Sequence, residues 1–549
     1  MIVYFISFSG NNAKAWNKVW EHSTEHGIVR SPVSCRTLNN DGIVTASFWV
    51  HPGIVNNNDK PRMKFIEVDD NGAGVYLTEK NFDWGIQGAV GRIELHKIIP
   101  NPSEENYLLL GTAHNPSNLN QVSSFIAVLD NAVNVTSIYT LPTYQYWDIA
   151  VSPYNNFIVL CGFNKVDTLL GCWSRKSILT LFDQTFSCMC VKSMTSQVGD
   201  GNCNRFDIAK CLTTWYDANE EKEYVAVAGN TTWDSAFGGL YSWGPVSIKT
   251  PKTYVALSEL SNSGILTMNW IRWLDYWNRE YNQMIPTDIM IDESNSRLNI
   301  VGTNAEGTSI GLNFSSIWSL GTNGNPIFNS QFEGNPSSLL YTHDLFVQQI
   351  TLKATGKYLL SGWSPEYYYT GGIVDGKYNY FVAEFDTSDN TAGNIYNFIG
   401  KTSTYAGVNP SGYYGVNANI NYVIWAGVPV PGFQTVKINQ FHDYTSLVSW
   451  RDDNNDDQFA FSWLNFKSTS VPYEEQLRIK SSVSGGSDND DYCYGIQHEW
   501  GLNGGTPRQQ TPPGNPNWDT ESNINTVIVS LRSPAARIPS SQDCDGDYD

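Results

Sequence analysis

Residues 107–139, YLLLGTAHNPSNLNQVSSFIAVLDNAVNVTSIY, end one apolar run on a glycine, cross a polar stretch, then alternate apolar with polar up to a turn. Alternation marks a strand with one buried face, and an Asn- or Asp-containing break between two such runs marks a hairpin. The same grammar returns in other letters. Aligned on the closing glycine, the runs are YLLLG to Gly111, FIVLCG to Gly162, YVAVAG to Gly229, LNIVG to Gly302, YLLSG to Gly362 and YVIWAG to Gly427, at intervals of 51, 67, 73, 60 and 65 residues. DGIVTASFW, residues 41–49, reads as an earlier member without the glycine.

Upstream of each glycine a short strand is joined by a polar turn, as in WDIAVSPYNNFIVLCG, TDIMIDESNSRLNIVG and VQQITLKATGKYLLSG. Downstream come alternating hairpins such as MKFIEVDDNGAGVYL and YFVAEFDTSDNTAGNIY. Each unit therefore reads as four antiparallel strands. Units of this length repeated along a chain predict the blades of an all-β propeller, because a solenoid would need shorter coils or helical pairs. The closing glycine is expected where two backbones approach closely within a blade.

The opening strands, Val3 to Trp16, match the outer hairpin of a blade but have no inner strands before them. The C-terminal side must supply those, so one blade is expected to be built from both ends of the chain, which also pairs exposed edges. Six complete units and this composite predict seven blades. If FQTVKINQF to LVSW completes the unit starting at Tyr422, the composite becomes an eighth.

With its alternating strands, Asp- or Asn-with-Gly turns and recurring apolar or Trp positions, the chain resembles the divergent propeller repeats of secreted and cell-surface microbial proteins. The resemblance covers roughly residues 1–470 and implies a propeller without assigning any catalytic residue. No GH…WD pair and no recurring double glycine occurs. The expected division is a propeller over 1–480 and a Gly-, Pro- and Asp-rich extension over 481–549, with a closing strand at 524–531.

Lys and Arg number 34 against 54 Asp and Glu, a net charge of −20. Such a chain repels phosphate backbones and anionic lipid rather than gathering them. No stretch approaches the ~20 apolar residues of a membrane span, and mean hydropathy is −0.32. Nucleic acid and membrane insertion are therefore not expected. The N-terminal MIVYFISFSG lacks a basic segment and a small-residue cleavage site, so it reads as a strand.

Nine cysteines include Cys161, Cys172, Cys188, Cys190 and Cys203 close together, with Cys211 just beyond; Cys493 and Cys544 lie in the tail, leaving Cys35 over. Pairing among the first six and within the tail is expected if the chain works in an oxidising compartment; the alternative is a set of buried thiols acting as small hydrophobes. Sequons at Asn134, Asn230 and Asn313 fit the same extracellular or cell-surface location. The terminal DCDGDYD sets Asp543, Asp545 and Asp547 at alternate positions, part of a calcium-repeat pattern. Without a following bidentate Glu it reads better as a solvated acidic tail, and calcium is the one cofactor the sequence suggests. RDDNNDDQ, residues 451–458, reads as a hairpin turn.

In NWIRWLDYWNREYNQM, Trp270, Trp273, Trp277 and Tyr281 follow helical spacing and predict a short helix on a propeller face. That face, and the run containing Tyr367, Tyr368 and Tyr369, would pack against blades or present aromatics to a partner or glycan.

Catalytic signals are thin. The eight histidines show no HExxH spacing, and GxSxG, GxGxxG and phosphate-loop motifs are missing. The expected function is a non-catalytic structural scaffold whose loops bind partner proteins, glycans or identical copies, as in filaments or surface assemblies. The alternative is a carbohydrate-active propeller enzyme using central-channel carboxylates such as Glu366 or Asp375, which would have to converge within about 5–10 Å.

Overall fold

In a computed structural model, the residues described are 16–25, 28–50, 62–70, 76–81, 92–115, 118–164, 174–194, 205–231, 252–275, 283–305, 314–334, 346–354, 357–370, 373–386, 394–405, 445–451, 457–467, 474–484, 496–500, 508–510, 519–520 and 530–532. Their strands pair into seven hydrogen-bonded sheets, numbered below along the chain. Sheet 1 holds Ile28–Arg36, Gly42–Val50, Arg62–Asp69 and Tyr76–Asn81. Sheet 2 holds Arg92–Asn101, Asn106–Asn115, Asn118–Leu129 and Val135–Leu141. Sheet 3 holds Tyr144–Val151, Ile158–Asn164, Ser177–Phe182 and Cys188–Met194. Sheet 4 holds Arg205–Asp217, Lys222–Thr231, Lys252–Leu260 and Leu266–Asp275. Sheet 5 holds Gln283–Asp292, Arg297–Ala305, Phe314–Gly321 and Pro326–Gly334. Sheet 6 holds Phe346–Ala354, Lys357–Thr370, Ile373–Asp386 and Asn394–Tyr405. Sheet 7 holds Thr445–Arg451, Asp457–Lys467 and Glu474–Ser484, and its fourth strand is Trp16–Glu25.

The cores lie between sheets, as in a propeller. One apolar cluster joins Val44 and Phe65 of sheet 1 to Leu109 and Phe125 of sheet 2. Leu110 and Ile126 pack on Ile149 and Leu160 of sheet 3. Leu179 and Leu181 pack on Val225 and Ala256 of sheet 4, and further clusters join sheets 4 to 5 and 5 to 6. Alternate residues on one strand thus serve two cores, which is why both faces of the second strands read apolar.

Side chains are described on three or four strands of sheets 1 to 5 and on far fewer positions of sheets 6 and 7. The chain is an all-β propeller, and the blades shown with their packing number five, where the repeat leads to seven. YVIWAG, residues 422–427, lies outside the described residues. Leu447–Trp450 does not close a unit begun at Tyr422, because it pairs with Phe461–Gln458 and so opens sheet 7.

The glycines mark a built feature. In sheets 2 to 6 the first strand skips one residue in its pairing with the second: at His96, Trp147, Lys210, Thr287 and Gln348. The residue just before each bulge faces Gly111, Gly162, Gly229, Gly302 or Gly362. A Cβ at Gly162 would run into the Gln145 carbonyl, and one at Gly229 or Gly302 into that of Ile208 or Ile285. A bulge bends the bulged strand against its partner, and only a missing side chain admits the approach.

The tail continues the sheets. Ile496–Trp500, Arg508–Gln510, Asp519–Thr520 and Ser530–Arg532 add antiparallel to the outer strands of sheets 5, 4, 3 and 2 in turn. Of the strand expected at 524–531, residues 530–531 fall within Ser530–Arg532 on the edge of sheet 2 and 524–529 lie outside the described residues, while the composite sheet is completed by Trp16–Glu25 against Glu474–Ser484. Residues 3–15 lie outside the described residues.

Two expectations are overturned. The tryptophan stretch is a strand: Trp270 pairs with Leu257 and Trp273 with Tyr254. A skipped residue, Asn269, reverses the alternation, so Leu266 and Ile271 enter the same core at an odd spacing. A broken period of two had imitated a helical one. Trp277 and Tyr281 lie outside the described residues.

The disulfide framework also fails among the described residues, where Cys35, Cys161, Cys188, Cys190 and Cys211 are free. Cys161 and Cys190 enter the core between sheets 3 and 4, Cys211 the core between sheets 4 and 5, and Cys188 packs toward sheet 2. They act as small hydrophobes. Burial pushes the Cys188 and Cys190 thiols up to about 11, and those of Cys161 and Cys211 well above the usual thiol range. Cys172, Cys203, Cys493 and Cys544 lie outside the described residues.

Candidate functional site on the propeller axis

The first strands of sheets 1 to 7 touch one another in chain order, and the first strand of sheet 7 touches that of sheet 1. Across that last contact the Ser34 amide donates to Ser446 Oγ at 2.9 Å, and the Arg36 guanidinium lies 4.2 Å from the Trp450 ring centre. These strands line the interior, so residues at equivalent positions form tiers around it.

One tier follows directly after the bulges: Lys97, Asp148, Cys211, Asp288 and Gln349. Asp148 Oδ1 accepts from the Ile149 amide at 2.7 Å, and its Oδ2 from the Leu212 amide of sheet 4 at 2.8 Å. Asp288 repeats this with Ile289 at 2.9 Å and Ile350 of sheet 6 at 3.0 Å. Gln349 Oε1 accepts from the Leu447 amide of sheet 7 at 2.5 Å. Each acceptor satisfies a buried backbone donor of the next sheet, and leaving such a donor unmet costs about 1–3 kcal/mol.

Lys97 Nζ lies 2.7 Å from Asp148 Oδ1. Burial disfavours the lysine's charge, but the Asp148 and Asp288 carboxylates outweigh it, so its affinity for a proton ends above the usual lysine value. Burial pushes Asp288 up to about 7, opposed by Lys97 and the two amides and reinforced by Asp148. The axis thus carries one cation among two carboxylates.

The tier of bulged residues makes a second row. His96 Nε2 shares a 2.6 Å hydrogen bond with Thr112 Oγ1, its ring lies 5.1 Å from that of Trp147, and the Lys210 ammonium sits 3.5 Å from the Trp147 ring centre. Lys210 is 2 % exposed; a cation over an indole face is held by the ring quadrupole.

The predicted site residues are dispersed. Trp270 donates from Nε1 to the Thr322 carbonyl at 2.8 Å and covers Gly324, so it packs sheet 4 against a turn of sheet 5. Trp273 stands in the strand. Tyr367, Tyr368 and Tyr369 pair in backbone register with Gly376, Asp375 and Val374, which puts Asp375 and, opposite Lys377, Glu366 on one hairpin of sheet 6. Asn134 is exposed in the turn after Leu129, its amide 3.2 Å from Asp130. Asn230 is 4 % exposed and donates to the Met284 carbonyl at 3.0 Å, so its amide nitrogen is engaged. Asn313, Asp543, Asp545 and Asp547 lie outside the described residues. Among the described residues no cluster of three or more His, Cys, Asp or Glu is arranged to hold a metal, and no helix is long and apolar enough to cross a membrane. The RDDNNDDQ stretch does join two paired strands, Arg451 opposite Asp457.

The axial tier was missed by motif reading, although Lys97, Asp148 and Asp288 each stand fourteen residues before a repeat glycine. No protein-family model and no curated protein matches the chain. Among solved structures, the tail fiber of Staphylococcus aureus phage P68 aligns at 8 % identity over 71 % of this chain and 97 % of its own, with a TM-score of 0.15. An ancestral GH74 enzyme aligns at 8 % identity over 86 % of this chain and 73 % of its own, with a TM-score of 0.15.

Proposed function

We propose that the protein is a non-catalytic scaffold: a β-propeller, exposed outside the cell or at a cell surface, whose loops contact partner proteins, glycans or identical copies. The observation that carries this is the use made of the axial carboxylates. Both oxygens of Asp148 and of Asp288 accept backbone amides, one of them from the neighbouring sheet. A nucleophile or general base needs a lone pair, and a general acid an O–H, aimed at substrate, whereas these oxygens are turned into the wall. A rigid ring with variable loops suits recognition.

The test is native mass spectrometry with electron microscopy of the purified chain, alone and with candidate surface partners or glycans. Ordered assemblies or defined complexes, together with no release of reducing sugar from a polysaccharide panel, are expected. Turnover of a polysaccharide would overturn the reading.

One observation favours the enzymatic alternative. A carboxyl held near 7 beside a second carboxylate is the acid–base pattern of a glycosidase. On that reading Asp288→Asn abolishes hydrolysis without unfolding the protein. On the scaffold reading it changes stability alone.

A further inference from the structure

A cavity of about 500 Å³ opens among sheets 2, 3 and 4, in the ordinary size range of small-molecule sites. Its lining includes Ile99, Ile149, Val151 and Leu212 together with the polar residues Ser103, Thr213, Thr214 and Asn156; Ser152 is fully buried, its hydroxyl accepting from the Phe157 amide at 2.9 Å. Lys97 is the one charged residue in the lining. Its ammonium carries three N–H donors, and its charge is matched by Asp148 at 2.7 Å. The cavity therefore offers strong donors with little net positive charge, and a chain of net charge −20 gives an anion no attraction.

Next in the chain to the lining residue Pro153 stands an aromatic platform. Tyr154 and Tyr216 stack with ring centres 4.5 Å apart and planes 8° apart, and Tyr154 is 55 % exposed. The platform is anchored from sheet 4: Glu223 accepts from the Tyr154 amide at 2.9 Å and from Asn155 Nδ2 at 2.7 Å. Exposed flat rings fixed in place beside a cavity cost little to bind against, because their freedom is already lost.

Aliphatic walls, neutral donors and acceptors, and a fixed aromatic face together match a ligand with apolar C–H faces and hydroxyls around its edge. A purely apolar ligand would leave unmet the Lys97 donors not turned to Asp148; an anion would have to displace Asp148. We propose that this cavity binds the terminal pyranose of a neutral glycan, with Lys97 and the hydroxyl groups meeting the sugar hydroxyls and Tyr154 covering the next ring. The site deepens the binding reading above and names its ligand class, but does not depend on assembly.

Isothermal titration and saturation-transfer NMR on the full chain test it, using methyl glucopyranoside, galactopyranoside, mannopyranoside and N-acetylglucosaminide, each with a β-linked disaccharide, and methyl glucuronide as the charged control. Saturable binding of a neutral pyranoside is expected, tighter for the disaccharide than for its monosaccharide, with the glucuronide weaker. Tyr154→Ala should remove the disaccharide's advantage, and Thr213→Trp, which fills the cavity, should abolish binding. The surface variant Tyr154→Ala decides the matter if Thr213→Trp does not fold. No saturation by any neutral sugar up to tens of millimolar, equal binding by both variants, or preference for the glucuronide overturns the proposal. The scaffold reading is judged separately, by assembly and the absence of turnover.

Discussion

At the scale of single residues, the glycines and the acceptors after the bulges do complementary work. Gly162 lets the second strand of sheet 3 lie against the Gln145 carbonyl, and two residues past its partner Tyr146 the Asp148 carboxylate reaches into sheet 4. Gly162→Ala forces a methyl group onto backbone that cannot rotate away. The expected loss is about 1–3 kcal/mol or more, as for overpacking generally, read as a lower urea midpoint at unchanged slope. Asp288 carries a pH signature. Burial keeps it protonated up to about 7, while an unfolded aspartate ionises near 4. Between those values the folded protein holds the extra proton, so this residue's contribution to stability falls as pH rises from about 4 to 7 and is flat above. In Asp288→Asn that component of the slope is absent, which urea midpoints across the window measure. Both glycines and acceptors were legible as spacing, since WDIAV and TDIMI were in plain view before their glycines. Their meaning was not, because the bulge that turns a strand residue toward the next sheet leaves no mark in composition.

At the scale of elements, sequence reading succeeded for most hairpins and failed where a bulge set large aromatic residues at helical intervals. The hairpins from Phe125 to Tyr139 and from Tyr254 to Leu274 each skip one residue, Thr136 and Asn269. In the second, the skip at Asn269 placed the tryptophans at intervals that suit a helix. The cysteines failed for a related reason: nearness in sequence said nothing about which side of a sheet each would face. Cys35, Cys161 and Cys211 are expected to resist alkylation in the native protein, to carry no disulfide in a non-reducing digest, and to react once unfolded. Mass-spectrometric mapping checks this. The tail strands make a separate prediction. They cover the outer edges of sheets 2 to 5, and uncovered edges invite pairing between chains. A chain ending before Ile496 should therefore associate more steeply with rising concentration than the full chain, as light scattering would record.

At the scale of the whole molecule, the central claim is a ring whose last sheet is finished by the chain's first described strand. Contacts around the first strands run in cyclic order, and the hydrogen bonds of Ser34 and Gln349 bring sheet 7 against sheets 1 and 6. The sequence led to this closure from the unpaired opening strands, though the strand that serves is Trp16–Glu25. Function was less legible, because no catalytic motif stands in the sequence and the axial side chains Asp148, Asp288 and Gln349 accept backbone amides of neighbouring sheets. The closure is open to direct test by an engineered cross-link. Thr24 lies opposite Leu477 and Ser23 opposite Arg478 in the composite sheet, and facing Cα atoms in an antiparallel pair fall within disulfide range. The double variants Thr24→Cys/Leu477→Cys and Ser23→Cys/Arg478→Cys are oxidised and mapped by non-reducing peptide analysis. The account predicts the 24–477 or 23–478 linkage within single chains, with a raised melting temperature. Failure of both pairs to link within one chain, or linkage only between chains, would contradict it.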